Sequence, residues 1–194
     1  SILSCAFLPL LKSSQKDPAS TNSYRAIAGS SLILKVFEKT ILLLWGKLLS
    51  SDSLQFGYKA ASSTTQASWL VHEVLTHYLR QGSHPICGLL DCTKAFDLAK
   101  WDKMFSQILL RKVPAIVARA MIYTYQEQYA WCRWGKEKSE IFPIVNGTRQ
   151  GSMASPFLWA VYCDPLLARL RVLGVGCHIG GMWMGAQLYC DDVA

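Results

Sequence analysis

Pro85-Ile86-Cys87-Gly88-Leu89-Leu90 runs straight into Asp91, and Leu188-Tyr189-Cys190 runs straight into Asp191-Asp192 before Val193-Ala194. Both are short apolar stretches of strand type that deliver carboxylates at their ends, and the first is bounded by turn formers. Carboxylates crowded in apolar surroundings repel each other and are poorly solvated, so they call for a solvated turn or for a cation. The plain alternative puts Asp191-Asp192 at a hairpin tip and lets Asp91 cap the helix that follows. The chemical alternative is a hard divalent cation such as Mg²⁺, which prefers carboxylate oxygen and bridges to substrate phosphates. Taken singly, each acidic feature fits the plain alternative; taken together in a basic chain, the three carboxylates at element ends lead us to expect a two-metal phosphoryl-transfer site.

The chain is basic: 194 residues carry 20 Lys+Arg against 13 Asp+Glu, a net charge of +7. With 51% apolar and 17% charged residues, it can bury enough surface to fold, which excludes a disordered chain. The length fits one domain, or one domain with a lobe, and the charge favours a polyanionic partner. Seven cysteines, scattered without a CxxC pair, read as buried reduced thiols of an intracellular protein. The four histidines form no ligand set with them, which argues against structural zinc. No stretch is long and apolar enough for a membrane span. No basic cluster marks a destination, so nucleus and cytoplasm both stay open. Ser1 at the start and Asp191-Asp192-Val193-Ala194 at the end read as the limits of a fragment.

Outward from the two acidic segments, the chain reads as mixed α+β. The opening run from Ser1 to Leu11 is an interior strand entering a polar, cationic loop over Lys12 to Ser23. Leu32, Val36, Phe37, Ile41, Leu44 and Leu48 recur at helical spacing and predict an amphipathic helix packed on that face. A second helix starts near Ser63 or Thr64 and stops at Gly82. Further helices run from about Trp101 to Lys112, and from Pro114 to roughly Gln128. Two strands surround Gly135, and Asn146-Gly147 signals a tight turn. Ser155 as cap and Pro156 at the first helical position open a helix that ends at Gly174 and contains Pro165. The glycine-punctuated stretch from Val172 to Cys190 predicts a hairpin.

Asp91-Cys92-Thr93-Lys94-Ala95-Phe96-Asp97 resembles the first catalytic motif of reverse transcriptases. Arg149-Gln150-Gly151-Ser152-Met153-Ala154-Ser155-Pro156 resembles the second, and Tyr189-Cys190-Asp191-Asp192 the third. Asn22-Ser23-Tyr24-Arg25-Ala26-Ile27 and Gln55-Phe56-Gly57-Tyr58 are similar to upstream motifs of the non-LTR, LINE-type retrotransposon group. The motifs stand in the family's order and cover nearly the whole chain. Ala26 replaces the usual proline, and Cys190 the usual alanine.

The resemblance implies a right-hand polymerase, α+β, with fingers and most of the palm, truncated before the thumb. It divides the chain into fingers (1–84), a first palm part (85–112), a fingers insertion (113–150) and a second palm part (151–194). It implies an RNA-directed DNA polymerase that adds dNTPs to a DNA primer 3′-OH on an RNA template. The alternative is a catalytically inactive retrotransposon remnant with at most nucleic-acid binding. Asp91, Asp191 and Asp192 become the catalytic, metal-binding carboxylates for two Mg²⁺ ions, with Mn²⁺ as a substitute. Lys12, Arg25, Phe96, Gln150 and Gly151 become nucleotide contacts, Phe96 by stacking under the sugar and excluding a 2′-OH. Arg149 and Tyr189 become nucleic-acid contacts. No membrane and no small-molecule cofactor is implied, and oligomeric state stays open.

Overall fold

The computed structural model describes residues 3–194, so the part of the predicted opening strand at Ser1 and Ile2 lies outside the described residues. Along the chain the strands and helices are β1 Ser4–Leu11, β2 Tyr24–Gly29, α1 Leu32–Trp45, α2 Thr64–Arg80, β3 Leu90–Asp91 and α3 Ala95–Leu98. They continue with α4 Trp101–Leu110, α5 Ala115–Gln126, β4 Tyr129–Trp134, β5 Glu137–Lys138, β6 Phe142–Pro143 and α6 Ser155–Val172. The last four are β7 His178–Ile179, β8 Met182–Trp183, β9 Leu188–Tyr189 and β10 Asp192–Val193. None of the described helices is long and apolar enough to cross a membrane. All seven cysteines are free thiols.

Two compact units emerge, each built from two separated stretches of chain. The first joins the described residues up to Leu49 with Phe96–Ser155. Its sheet runs β2-β1-β4-β5, with β6 also on β4. Cys5, Ala28 and Ala130 are buried where β1, β2 and β4 lie side by side, with Phe7 and Ile144 packed on them. Small residues at these inward positions allow that close packing.

Helix α1 buries a different stripe from the one its apolar spacing predicts. Leu34, Glu38 and Ile41 face inward, while Leu32, Val36 and Leu44 are exposed. A buried glutamate defeats a reading by hydrophobic period, because the period assigns every charge to solvent. The cap is conventional, since Ser31 Oγ accepts from Leu34 N at 3.2 Å. Tyr129 to Pro143 forms three strands instead of two, because β6 returns to pair with β4 after β5 has done so.

The second unit joins Ser50–Ala95 with Pro156–Ala194. Its core gathers Leu54, Leu167, Trp183, Ala186 and Leu188. Residues 50–84, expected with the chain before them, belong here because they bond to the end of the chain. Gln187 Nε2 donates to Ala67 O at 2.8 Å, and the Tyr78 hydroxyl donates to His178 O at 2.9 Å. Helix α2 carries the expected start as a complete capping box between Ser63 and Gln66. The predicted hairpin is β7–β8, turned by Gly180 and Gly181, both at positive φ.

Two further expectations change. The segment before Asp91 is not a buried strand: only Leu90–Asp91 is paired, and Ile86 is 97% exposed. Its pairing partner is β10, which leaves its other edge without a neighbour among the described residues. Ser155 is the first residue of α6 and not its cap, and Ser152 Oγ instead accepts from Ala154 N at 3.3 Å and from Ser155 N at 3.4 Å.

Candidate active site

In the second unit, β3, β10 and β9 form a sheet in that order, so the two acidic segments lie side by side. Asp192 is directly opposite Asp91, and Val193 opposite Leu90, in an antiparallel pair. Residues in that relation leave the sheet on the same face, with Cβ atoms ~4.5–5.5 Å apart. On the other side, Asp192 faces Tyr189 and Val193 faces Leu188, which makes Cys190-Asp191 the two-residue turn of a hairpin. The hairpin alternative and the metal alternative are thus compatible. Among the described residues none of these three aspartates has an ion-pair partner.

The negative charge is felt by what surrounds it. Burial pushes the Tyr58 hydroxyl and the Cys92, Cys163 and Cys190 thiols upward, Cys163 to about 12, and the Asp191 carboxylate adds to each shift. With no cation bound, these thiols hold their protons at neutral pH. The aspartates of the sheet and its turn supply hard oxygen donors.

That donor set fits Mg²⁺. Among the described residues no three or more His, Cys, Asp or Glu side chains stand together as a group that could hold a metal ion by themselves. An open site of opposed carboxylates suits an ion that keeps waters and shares its coordination with substrate phosphates.

The hairpin is held from outside. Backbone bonds lay residues 54–56 along β9, with Phe56 N donating to Leu188 O and Leu188 N to Leu54 O, each at 2.8 Å. From there Gln55, 1% exposed, reaches over the turn. Its Oε1 accepts from Cys190 N at 3.0 Å, and its Nε2 donates to Cys190 O at 3.3 Å. Trp159 Nε1 donates to the same oxygen at 3.1 Å.

In the first unit, the segment 147–153 docks on β2. Ala28 N donates to Gln150 O at 2.7 Å, and Gly151, at φ 102°, faces the Ala28 carbonyl so closely that an added Cβ would stand 3.3 Å from it. Gln150 Nε2 donates to Asp97 Oδ1 at 3.3 Å. Phe96, half-buried at the start of α3, has its carbonyl bound by Thr148 N at 2.6 Å. Asn146-Gly147 is not a hairpin turn. Gly147, at φ 82°, lies against the carbonyls of Phe96 and Asp97, where any side chain would collide. Lys12 is exposed with Nζ donating to Asn22 O at 2.9 Å, and Arg25 is exposed on β2 opposite Leu10.

Arg149 departs from its expected role as a nucleic-acid contact. It is 3% exposed, and its Nε donates to Gln128 Oε1 at 2.7 Å, one terminal nitrogen to Glu38 Oε1 at 3.1 Å and the other to Thr124 O. Its guanidinium also stacks over Tyr125 at 4.4 Å. A fork with its donors committed inside the core has nothing to offer a phosphate. Glu38 completes the network, accepting from Ser152 Oγ at 2.7 Å and Met153 N at 2.9 Å.

Each predicted residue therefore has a place. Asp91, Asp191, Asp192 and half-buried Tyr189 lie in the second unit, on the three-stranded sheet and its turn. Gln150, Gly151 and Phe96 share the docked segment and its surroundings in the first, with Arg25 on the strand it docks against. The residues that sequence reasoning missed are the holders Glu38, Thr148 and Trp159; Gln55 is named within a motif, without its holding role. A charge inside the apolar spacing of α1 is the one signal that could have revealed Glu38.

Residues 12–194 match the family of reverse transcriptases, RNA-dependent DNA polymerases, and the chain belongs to that family. It is similar to the Retrovirus-related Pol polyprotein from type-1 retrotransposable element R2 of Nasonia vitripennis, 23% identical over 177 residues. That match covers 91% of this chain and 17% of the relative, so the chain spans about one sixth of that protein's length. The resemblance to non-LTR reverse transcriptases is borne out at this level.

Proposed function

We propose that this chain carries the catalytic region of an RNA-directed DNA polymerase, organised as right-hand fingers and palm. The observation behind the reading is the register that sets Asp192 against Asp91 with Asp191 in the adjoining turn. Asp91, Asp191 and Asp192 hold two Mg²⁺ ions, or Mn²⁺ in their place. Bound there, the ions supply charge neutralisation at the reacting phosphate and acidify the attacking hydroxyl.

The chain's own residues position the rest. The primer 3′ oxygen bonds to the α-phosphorus of a dNTP, the bond to the bridging oxygen breaks, pyrophosphate departs and the hydroxyl proton passes to solvent. Phe96 offers the sugar a flat apolar face that clashes with a ribose 2′-OH and gives it no hydrogen bond. Arg25 suits a planar, multi-donor phosphate contact, and Lys12 a point charge. The absence of a side chain at Gly151 lets a base approach beside Gln150. Tyr189, next to the acidic turn, contacts the primer–template. The work is intracellular, on an RNA template and DNA primer.

Primer extension on an RNA template with Mg²⁺ tests this in the chain at its full natural length. Template-dependent product is expected, lost in Asp91→Ala and in Asp191→Ala. No product from the unmodified protein overturns the reading in favour of an inactive remnant that at most binds nucleic acid. In the same assay Phe96→Ala raises rNTP incorporation relative to dNTP, and an unchanged ratio removes Phe96 from the sugar contact.

A further inference from the structure

Cys190 has φ 60°, a left-handed conformation disfavoured for any residue with a Cβ. It nevertheless occupies the first position of the turn that carries Asp191. Left to itself, a two-residue turn between strands of two residues each has little to fix it. The Gln55 amide supplies both halves of what such a residue lacks, an acceptor for Cys190 N and a donor for Cys190 O. The same Oε1 accepts from Gly57 N at 2.8 Å, which locks the amide's own orientation. At Gly57 an added Cβ would fall on the Cys190 nitrogen and sulfur, so the clamp closes only over glycine. The Tyr58 hydroxyl hydrogen-bonds the Cys190 sulfur from the same segment.

We propose that Gln55 is a positioning residue: its carboxamide holds Cys190 in the left-handed turn and thereby sets where the Asp191 carboxylate stands beside Asp91 and Asp192. The inference rests on the polymerase reading of those carboxylates. It requires the amide's paired donor and acceptor, not its bulk. Met fills a similar volume with neither, so Gln55→Met separates the two roles.

The experiment compares unmodified protein, Gln55→Met, Gly57→Ala and Asp191→Ala at full natural length, each with its melting temperature recorded. The first readout is the rate at which iodoacetamide alkylates Cys190, followed by peptide mass spectrometry without metal or substrate. Release of the turn is expected to raise that rate several-fold in Gln55→Met and Gly57→Ala, while buried Cys5 keeps its rate. The second readout is primer extension: kcat falls by roughly 10–100-fold in both variants, as a misplacement of about an ångström predicts. The dNTP KM stays near its unmodified value, and the Mg²⁺ needed for half-maximal rate rises. Unchanged alkylation in Gln55→Met overturns the clamp whether or not the protein polymerises. Active unmodified protein, inactive Asp191→Ala and fully active Gln55→Met overturn it too. An inactive unmodified protein with faster alkylation in Gln55→Met defeats the polymerase reading and leaves the clamp standing.

Discussion

Arg149 shows how much a single side chain can be asked to hold. Three elements meet on it: α1 through Glu38, the end of α5 through Thr124, and the segment after α5 through Gln128. Glu38 in turn holds Ser152 and Met153, so the pair fixes both ends of the Arg149-Gln150-Gly151-Ser152 segment. With side chains 2% and 6% exposed, the two charges have lost their water, and each is tolerable only while the other is there. Removing one partner therefore strands the other's charge in the core. Glu38→Ala and Arg149→Ala should each cost about 3–5 kcal/mol, the usual penalty for stranding a buried charge. The double variant should cost clearly less than their sum. Arg149→Lys should not rescue, because a point-charge ammonium cannot serve Gln128, Glu38 and Thr124 together. Urea unfolding of the four variants measures all of this, and strict additivity would contradict the coupling.

At the scale of elements, the acidic sheet is assembled from strands too short to stand alone. β3, β9 and β10 have two residues each, and the β3–β10 pair sets like charges directly opposite at Asp91 and Asp192. Like charges in that relation destabilise a sheet by ~0.2–1 kcal/mol. Without divalent ions the repulsion is uncompensated, and an ion that binds the folded site stabilises it by mass action. Asp192→Asn should therefore melt higher than the unmodified chain in a chelator, by up to about 2–4 °C for a domain of this size. The same variant should respond less to added Mg²⁺. Thermal melts with and without Mg²⁺ check both signs, and a variant that melts lower in chelator would count against the repulsion. Elements also show where the sequence was readable. Ser63 or Thr64 marked the start of α2, where the structure adds a capping box with Gln66, and the glycines between Val172 and Cys190 announced a hairpin, realised as β7–β8. The buried face of α1, the role of Gly147 and the exposure of the residues before Asp91 depend on what packs against them from distant parts of the chain. No local pattern encodes that.

Across the molecule, the carboxylates could be found from sequence because chemistry restricts them to a few residue types at element ends. The groups that hold their turn could not be assigned that role, because Trp159 looks like an ordinary core residue and Gln55 like one polar member of a motif until the fold brings both to Cys190. The same burial that hides them sets a whole-chain response to base. Cys163 packs against the core of the second unit with its thiol pushed to about 12, first by burial and then by the charges of Cys92, Asp164 and Asp191. Cys92, Cys190 and Tyr58 of that unit are shifted the same way, and so is Cys5 in the first unit, each chiefly by burial. A folded-state value above the unfolded one means that folding retains protons which the unfolded chain releases. That contribution to stability is complete below the ordinary thiol value of 9.0 and drains away as pH rises from there toward about 12. The unfolding free energy should therefore fall steadily through this alkaline window. Cys163→Ala should start lower, because it leaves a gap in the core, yet lose less on going from neutral to alkaline pH. Urea titrations at a series of pH values separate the two effects, since the gap shifts the whole curve and the lost thiol changes only its alkaline slope. Parallel curves for the two proteins would show that Cys163 ionises as freely in the fold as outside it.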